Sequence, residues 1–338
     1  MIKIQANSNF HTATERTVFD VKNDEKFHKY RRLWKENPEH FVVNGFPLHL
    51  DIETVSFCNL RCPFCATTTN RWGKDKKGCM DFTLYRKIID SGAENGLCAI
   101  KLSLRGEPLL HPQLPEMIEY AKNKGIMDVY FNTNALLLTE EKFERLIDAG
   151  LDRISISIEG FKKETYEKYR VNAKFEQLFS NVSRLITIRN RKKRLFPQIR
   201  IQTVLLDELK ADFDTYIDFW KRYADEVSYL DAREETNNSE MSDDIEDWAC
   251  PFLWQRMTIL WDGTILPCLM HGVRDFGSMV LGNAADCSIM DLWNGEKERE
   301  IRYLHKKGLS HRIHACQQCS YRTMEIEKST PTLSPQRR

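Results

Sequence analysis

Ten cysteines are many for a chain of 338 residues, and their spacing sorts them by the chemistry they can do. Cys58, Cys62 and Cys65 form a C-x3-C-x2-C run. Three thiolates so close in sequence can wrap one metal centre, but three is one ligand short of a closed tetrahedral zinc site. A 4Fe–4S cluster held by three cysteines leaves one iron open to an outside ligand. A zinc site completed by a distant side chain is the plainer alternative, and buried free thiols the plainest. Cys250, Cys268, Cys316 and Cys319 make a second set, the last two as C-x2-C. Four thiolates saturate a 4Fe–4S cluster, which then suits electron transfer better than substrate ligation; the same four would also hold a structural zinc. Cys79, Cys98 and Cys287 are left over.

The elements around these cysteines follow from hydrophobic period. From about Leu48 the chain alternates β-type runs with amphipathic helices. Strands are expected at 48–54, 99–104, 127–132, 153–158, 199–206 and 227–231. Asp81 suits a helix N-cap ahead of Leu84, Ile88 and Ile89. Leu114, Met117, Ile118 and Ala121 fall at i, i+3, i+4, i+7. A helix spans Thr139 to Ala149 with Gly150 just beyond its end, a long helix runs from the fourth strand to about Arg189, and another spans Asp212 to Tyr223. Six β–α repeats with β-branched strands predict a parallel sheet covered by helices. The Cys58–Cys65 loop follows the first strand, which places it at the C-terminal mouth of that sheet, where ligands bind. Cys98 starts a strand and belongs at the opposite end.

Past residue 235 the character changes. Residues 236–247 read as an acidic linker. The Asp262-Gly263 pair between two β-rich runs signals a hairpin ending near Cys268. Residues 288–307 read as one helix. Residues 1–47 read as a helical extension with Phe27, Tyr30, Leu33 and Trp34 as its apolar positions. This divides the chain into 1–47, a barrel at 48–235, a cysteine module at 236–328 and a disordered tail at 329–338.

Lys+Arg and Asp+Glu number 50 and 49. The near-zero net charge gives no general pull toward nucleic acid or membrane. The basic run 189–194 is too short for a groove-binding stripe and reads as a solvated turn. No apolar run is long enough to span a bilayer, and the N-terminus lacks a signal-peptide core, so a cytoplasmic address is expected.

The stretch CNLRCPFC (58–65) closely resembles the signature of the radical S-adenosylmethionine (SAM) superfamily. RGEPLLHP (105–112) resembles that family's Gly-Gly-Glu-Pro motif, with Arg105 standing at the first Gly. YFNTN (130–134), ISISIEG (154–160) and YEKYR (166–170) fall in order at the following stations. The resemblance covers about residues 48–231 and implies a partial (β/α)6 barrel of TIM type. It also implies that SAM chelates the open iron of a 4Fe–4S cluster on Cys58, Cys62 and Cys65. Gly106, Glu107, Asn132, Ser157 and Arg170 are then the expected SAM contacts. Glu107 would accept from the ammonium, Arg170 would pair with the carboxylate, Ser157 would bond carboxylate or ribose, and Phe64 would offer a face to adenine. A surface Arg170, a Ser157 satisfied within the barrel and a packing role for Phe64 are the plainer readings.

The second cysteine set resembles the SPASM/Twitch modules that follow such barrels. Cys250, Gly263, Cys268, the DLWN of 291–294 and Cys316–Cys319 match, with cysteines for one auxiliary 4Fe–4S cluster. The resemblance therefore implies two clusters, SAM, and a flavodoxin- or ferredoxin-type electron donor. It implies a 5′-deoxyadenosyl radical that takes hydrogen from a substrate. The four-cysteine spacing is similar to that of Twitch-type alcohol dehydrogenases, which favours dehydrogenation of a sugar or cyclitol carbinol. Polar residues expected at the mouth (Asn132, Asn134, Asp207, Glu208, Asp231, Arg233, Glu234) fit a hydroxylated small molecule, although loops are polar in any case. Epimerisation with Cys79 or Cys287 as hydrogen donor is one alternative. Maturation of a ribosomally made peptide is another; it is disfavoured because only 47 residues precede the first strand, short for a leader-binding domain.

Overall fold

The computed structural model describes residues 10–65, 67–68, 77–232, 248–269 and 277–329. The acidic linker, Arg233, Glu234 and the tail from residue 330 lie outside the described residues. Ten strands form one sheet: β1 (Phe10–Thr12), β2 (His49–Ile52), β3 (Ala99–Lys101), β4 (Asp128–Thr133), β5 (Arg153–Ser157), β6 (Gln198–Leu205), β7 (Glu226–Asp231), β8 (Arg256–Ile259), β9 (Thr264–Leu266) and β10 (Gly282–Asn283). Their order is β1-β7-β6-β5-β4-β3-β2-β8-β9-β10. The six strands β2 to β7 are mutually parallel. This is the α/β partial barrel expected, and it stays open because β2 and β7 pair outward, with β8 and β1.

The outward side chains of these strands are apolar. Leu50, Ile52, Ile100, Val129, Phe131, Ile154, Ile156, Ile199 and Ile201 pack in one core with helix residues such as Ile88, Met117, Ile118, Leu146 and Leu178. Each such burial contributes about 1.5–3 kcal/mol. The inward row is different. Asp51, Lys101, Tyr130 and Arg153 stand in register across β2 to β5, and Arg200 and Glu226 across β6 and β7. Their charges are paired: Arg153 with Asp128 at 2.6 and 3.0 Å, Arg200 with Glu226 at 2.8 and 3.0 Å, and Lys101 and Arg256 with Asp51 at 2.9 and 3.1 Å. The barrel interior is a stack of ion pairs.

The N-terminal segment closes that stack. It is not the purely helical extension expected from sequence: β1 pairs antiparallel with β7 before the helix Glu25–His40 begins. The Phe10 ring covers Arg200, Phe19 covers Arg153 and Trp34 covers Arg256, at 4.6–4.8 Å from guanidinium to ring centroid. The Val18 N–H donates to Glu226 at 2.7 Å, and Lys22 pairs with Asp152 at 2.8 Å. Aromatic faces here replace water over inward arginines.

Two helices differ from expectation. The long helix before Arg189 is three: Lys163–Tyr169, Phe175–Val182 and Leu185–Arg191. The first break falls where Arg170 leaves helical geometry with its side chain on Glu159, and Asn172 then takes a left-handed φ of 75°. The 288–307 helix divides into Ile289–Trp293 and Glu296–Lys306. Between them Trp293 and Asn294 donate to the carbonyls of Asn44 and Gly45 at 2.7 and 2.9 Å. Three charges of the basic run are paired, Arg189 with Asp225, Arg191 with Glu140 and Glu144, and Lys192 with Asp148. Among the described residues no helix is long and apolar enough to cross a membrane.

The hairpin expected at Asp262-Gly263 is β8–β9, with Gly263 at φ 89°. It is not a separate layer. β8 runs parallel beside β2 over four residue pairs, so the cysteine-bearing C-terminal part continues the barrel's own sheet.

Candidate active site

The loop after β2 is pinned from several sides. The backbone N–H groups of Ser56 and Met80 donate to the carbonyls of Gly78 and Thr54, and the Glu107 N–H donates to the Phe57 carbonyl at 3.0 Å. The Arg61 guanidinium donates to the carbonyls of Cys58 and Leu60, both at 2.8 Å, and curls the loop. Cys58, Cys62 and Cys65 therefore project from a held turn. Amide or guanidinium N–H groups approach two of the sulfurs: Leu60 N and Asn134 Nδ2 approach Cys58 Sγ at 3.4 and 3.8 Å, and Arg170 Nη1 approaches Cys62 Sγ at 3.7 Å. Burial pushes the Cys62 thiol up to about 11 against the pull of Arg170, and burial likewise raises Cys58. Burial thus makes the Cys58 and Cys62 thiols harder to ionise, and metal loading must release their protons.

Beside the thiols lies a cavity of about 250 Å³. Every residue nominated from the sequence for the first cluster and SAM lines it: the three cysteines, Phe64, Gly106, Glu107, Asn132, Ser157 and Arg170. Gly106 is required by close approach, since a Cβ there would lie 2.2 Å from the Val55 carbonyl oxygen and 2.6 Å from that of Phe57. The Glu107 carboxylate accepts from the Thr133 hydroxyl at 2.7 Å, Asn134 N at 2.9 Å and Leu109 N at 3.1 Å. Burial raises its pKa nonetheless, with those donors opposing. Arg170 is not a surface residue. Its guanidinium is held by Glu159 and lies 5.6 Å from the Phe64 ring centroid. A ligand carboxylate would share Arg170 with Glu159. Ser157 accepts a long bond from Gln202 at 3.4 Å.

Sequence reasoning missed Lys101, Ser103, Leu104 and Arg105, which also line the cavity. Arg105 is buried and bidentate on Glu53 at 2.5 and 2.6 Å. Glu53 in turn accepts from Trp261 N of the hairpin at 3.4 Å, so the arginine at the motif's first position ties the barrel to the C-terminal part. One signal was legible: the alternation of β3, carried on past its end, points 101, 103 and 105 to one face. The mouth acids do not reach the cavity. Asp207 pairs with Lys210, Glu208 with Lys168, and Asp231 with His11. Among the described residues neither Cys79, bridged to Val55, nor Cys287 lines it.

The second cysteine set also converges. Cys250, Cys268, Cys316 and Cys319 pack on one apolar cluster with Leu253, Trp254 and Leu266, and Leu104 packs on the same cluster. Leu104 thus stands between the cavity and the four thiols. Burial and mutual proximity raise the Cys250 and Cys316 thiols well above their usual range. Sequence reasoning missed His305, whose ring lies between Cys250 N and Cys316 Sγ. Burial, assisted by Arg322, pulls its pKa down to about 3, so it is neutral. Among the described residues no three His, Cys, Asp or Glu side chains converge on a point suited to a single ion. What each set holds is argued instead from thiol number and surroundings: an open trio beside a cavity, and a closed quartet in an apolar shell, both of which fit iron–sulfur clusters.

Glu298 gives a test of this module's electrostatics. It is buried, lies 3.3 Å from Arg302, and neither carboxylate oxygen accepts a hydrogen bond. Burial pushes its pKa up to about 7, with Arg302 opposing. A carboxyl whose folded pKa is raised supports folding below its unfolded pKa and loses that support as pH rises through 7. Glu298→Gln is therefore expected to be more stable than the parent at pH 8, by up to about 3 kcal/mol, and equal to it near pH 4. Urea midpoints at the two pH values check this, and no gain at pH 8 rejects it.

Comparison with known proteins gives two matching family models: the radical SAM superfamily over residues 52–204 and an iron–sulfur cluster-binding domain, SPASM, over residues 250–320. A probable GTP 3′,8-cyclase of Methanococcus maripaludis is 35% identical over 133 residues, covering 39% of this chain and 43% of that protein. The chain thus matches less than half the length of that curated relative. A tungsten-containing aldehyde ferredoxin oxidoreductase cofactor-modifying protein of Pyrococcus furiosus is 23% identical over 325 residues, covering 81% of this chain and 87% of that one. Among solved structures, BtrN in complex with AdoMet and 2-DOIA superposes with a TM-score of 0.54 at 19% identity, covering 82% of this chain and 94% of that one. That last likeness concerns the fold.

Proposed function

This chain belongs to the radical SAM superfamily and carries a C-terminal SPASM iron–sulfur domain, and on that premise we propose that it oxidises a carbinol of a polar small molecule, a sugar or cyclitol. The observation that carries the reading is the cavity wall beyond the cysteine loop. Lys101, Ser103, Arg105 and Asn132 present donors and acceptors there, and Leu104 joins that wall to the four-thiol cluster. Such a wall suits hydroxyl groups.

Cys58, Cys62 and Cys65 would hold the open 4Fe–4S cluster, and Cys250, Cys268, Cys316 and Cys319 one auxiliary cluster. When bound, SAM and these clusters supply hydrogen-atom abstraction and one-electron acceptance. The chain's own part is placement. Gly106 lets backbone close on backbone beside the cysteine loop. Glu107, fixed by three donors, keeps a carboxyl acceptor in the cavity for an ammonium. Arg170 balances the thiolate charge of Cys62. Leu104 excludes water between cavity and auxiliary thiols.

Anaerobically reconstituted protein, reduced by dithionite or a flavodoxin-type donor, should form 5′-deoxyadenosine and ketone together from a cyclitol or aminosugar panel. Cys316→Ala should keep SAM cleavage within about threefold while ketone falls by at least about tenfold, as expected if the auxiliary site takes the second electron. Full ketone yield from Cys316→Ala, or a colourless zinc protein, would overturn the reading. The near-full-length relationship to the Pyrococcus furiosus cofactor-modifying protein favours a second reading, action on another protein's cofactor or on a peptide. Product formed only when a polypeptide is supplied would select it.

A further inference from the structure

His305 joins three segments that are far apart in sequence. It sits on the helix Glu296–Lys306, is only 1% exposed, and touches the start of the Pro251–Trp254 turn and the short helix His314–Gln317. Its Nδ1 accepts the backbone N–H of Cys250 at 3.1 Å. A ring nitrogen that accepts holds no proton, so an imidazole that accepts at Nδ1 carries its proton on Nε2. Nε2 lies 3.4 Å from Cys316 Sγ. The ring is packed edge-to-face against Trp248, at 6.0 Å between centroids, which fixes its plane. The tautomer and the direction of the remaining N–H are therefore set by a backbone bond and by packing.

We infer that His305 is a positioning residue for the auxiliary centre, donating an Nε2–H···Sγ hydrogen bond to Cys316 that raises the centre's reduction potential. The inference rests on the reading of the four C-terminal cysteines as cluster ligands. The physical reason is charge. Adding one electron increases the negative charge on the ligand sulfurs, so a donor aimed at sulfur stabilises the reduced state more than the oxidised one. The site is buried among apolar side chains, where such a bond is stronger than in water. A raised potential makes the centre a better electron acceptor, which is what a dehydrogenation needs from it.

The test uses the full-length chain with Cys58, Cys62 and Cys65 all changed to Ala, so that the C-terminal site alone is read. Reconstituted anaerobically, it should bind about four irons and give a reduced-state paramagnetic resonance signal. In that background His305→Asn keeps an acceptor for the Cys250 N–H but withdraws the donor from Cys316. It should keep its iron and show about a tenfold lower ratio of reduced to oxidised centre at a fixed potential, a fall of about 59 mV for a one-electron couple. His305→Gln spans both positions and should restore the parent midpoint. An iron-replete His305→Asn with the parent midpoint overturns the proposal. Loss of iron from both variants also overturns it, because His305 is then a structural strut. A background protein that binds no iron removes the cluster reading itself, and the inference with it.

Discussion

Arg153→Met is expected to lower the stability of the protein by about 3–5 kcal/mol at pH 7, the cost of leaving a buried charge without its partner. Asp128 is fully buried, and Arg153 grips both of its oxygens, at 2.6 and 3.0 Å. The guanidinium also lies 3.7 Å from the centroid of Tyr130 and 4.7 Å from that of Phe19. Lys22, 3.5 Å from Asp128, is too distant to replace that bidentate contact. Burial alone would push the Asp128 carboxyl upward, but the charge and hydrogen bonds of Arg153 overcome it and hold the group well below the usual carboxylate range. A depressed folded pKa contributes stability above the unfolded pKa near 3.9 and loses it as pH falls through the folded value. In the variant the depression is gone, so Asp128 protonates more readily. The gap between parent and variant should accordingly be widest at pH 7 and narrow toward pH 4. Urea midpoints at unchanged slope measure it. Arg153→Met combined with Asp128→Leu should recover most of the loss, because no charge is then left stranded. A single-variant cost under about 1 kcal/mol would mean that water or Lys22 compensates, and that the interior ion pairs do not hold the barrel.

Gly106→Ala is expected to weaken SAM binding by about tenfold to a hundredfold. The added methyl would stand 2.2 and 2.6 Å from two backbone oxygens, those of Val55 and Phe57. Neither atom is the end of a flexible side chain, so the loop itself must move, and Cys58 follows Phe57 directly. The same shift strains the Glu107 N–H bond to Phe57 and hence the carboxylate beside it. Overpacking of this kind costs about 1–3 kcal/mol, and about 1.4 kcal/mol is tenfold in affinity. Calorimetric titration of SAM into reconstituted protein, with iron counted in the same sample, separates a displaced site from an unfilled one. Affinity within about threefold of the parent would show that the loop yields without consequence, and that the close approach does not set the site's shape.

The cysteine trio, the Gly-Glu-Pro turn and the order of the β–α units could be read directly from the chain. Each is a local feature. A strand of period two, a helix of period 3.6 and a three-thiol run within one loop all depend on residues near one another in sequence. The resemblance of the chain's motifs to a known family assigned Phe64, Gly106, Glu107, Asn132, Ser157 and Arg170 to one place, the loop end of a parallel sheet, and all of them line one cavity. The mouth acids misled for the same reason that loops are polar everywhere: composition does not say which polar residue has an ion partner nearby.

By itself the sequence determined the six barrel strands, their order, and which thiols stand where metal chemistry is possible. Only the tertiary structure decided the partners. Arg105 and Glu53 are 52 positions apart, Val18 and Glu226 are 208 apart, and His305 meets Cys250 across 55. It also set β8 beside β2, which makes the C-terminal cysteines an extension of the barrel's sheet. Pairings of this kind have no local signature. They arise when chain closure brings charges into a space from which water is excluded, and each charge there must then find whichever opposite group the fold has placed within reach.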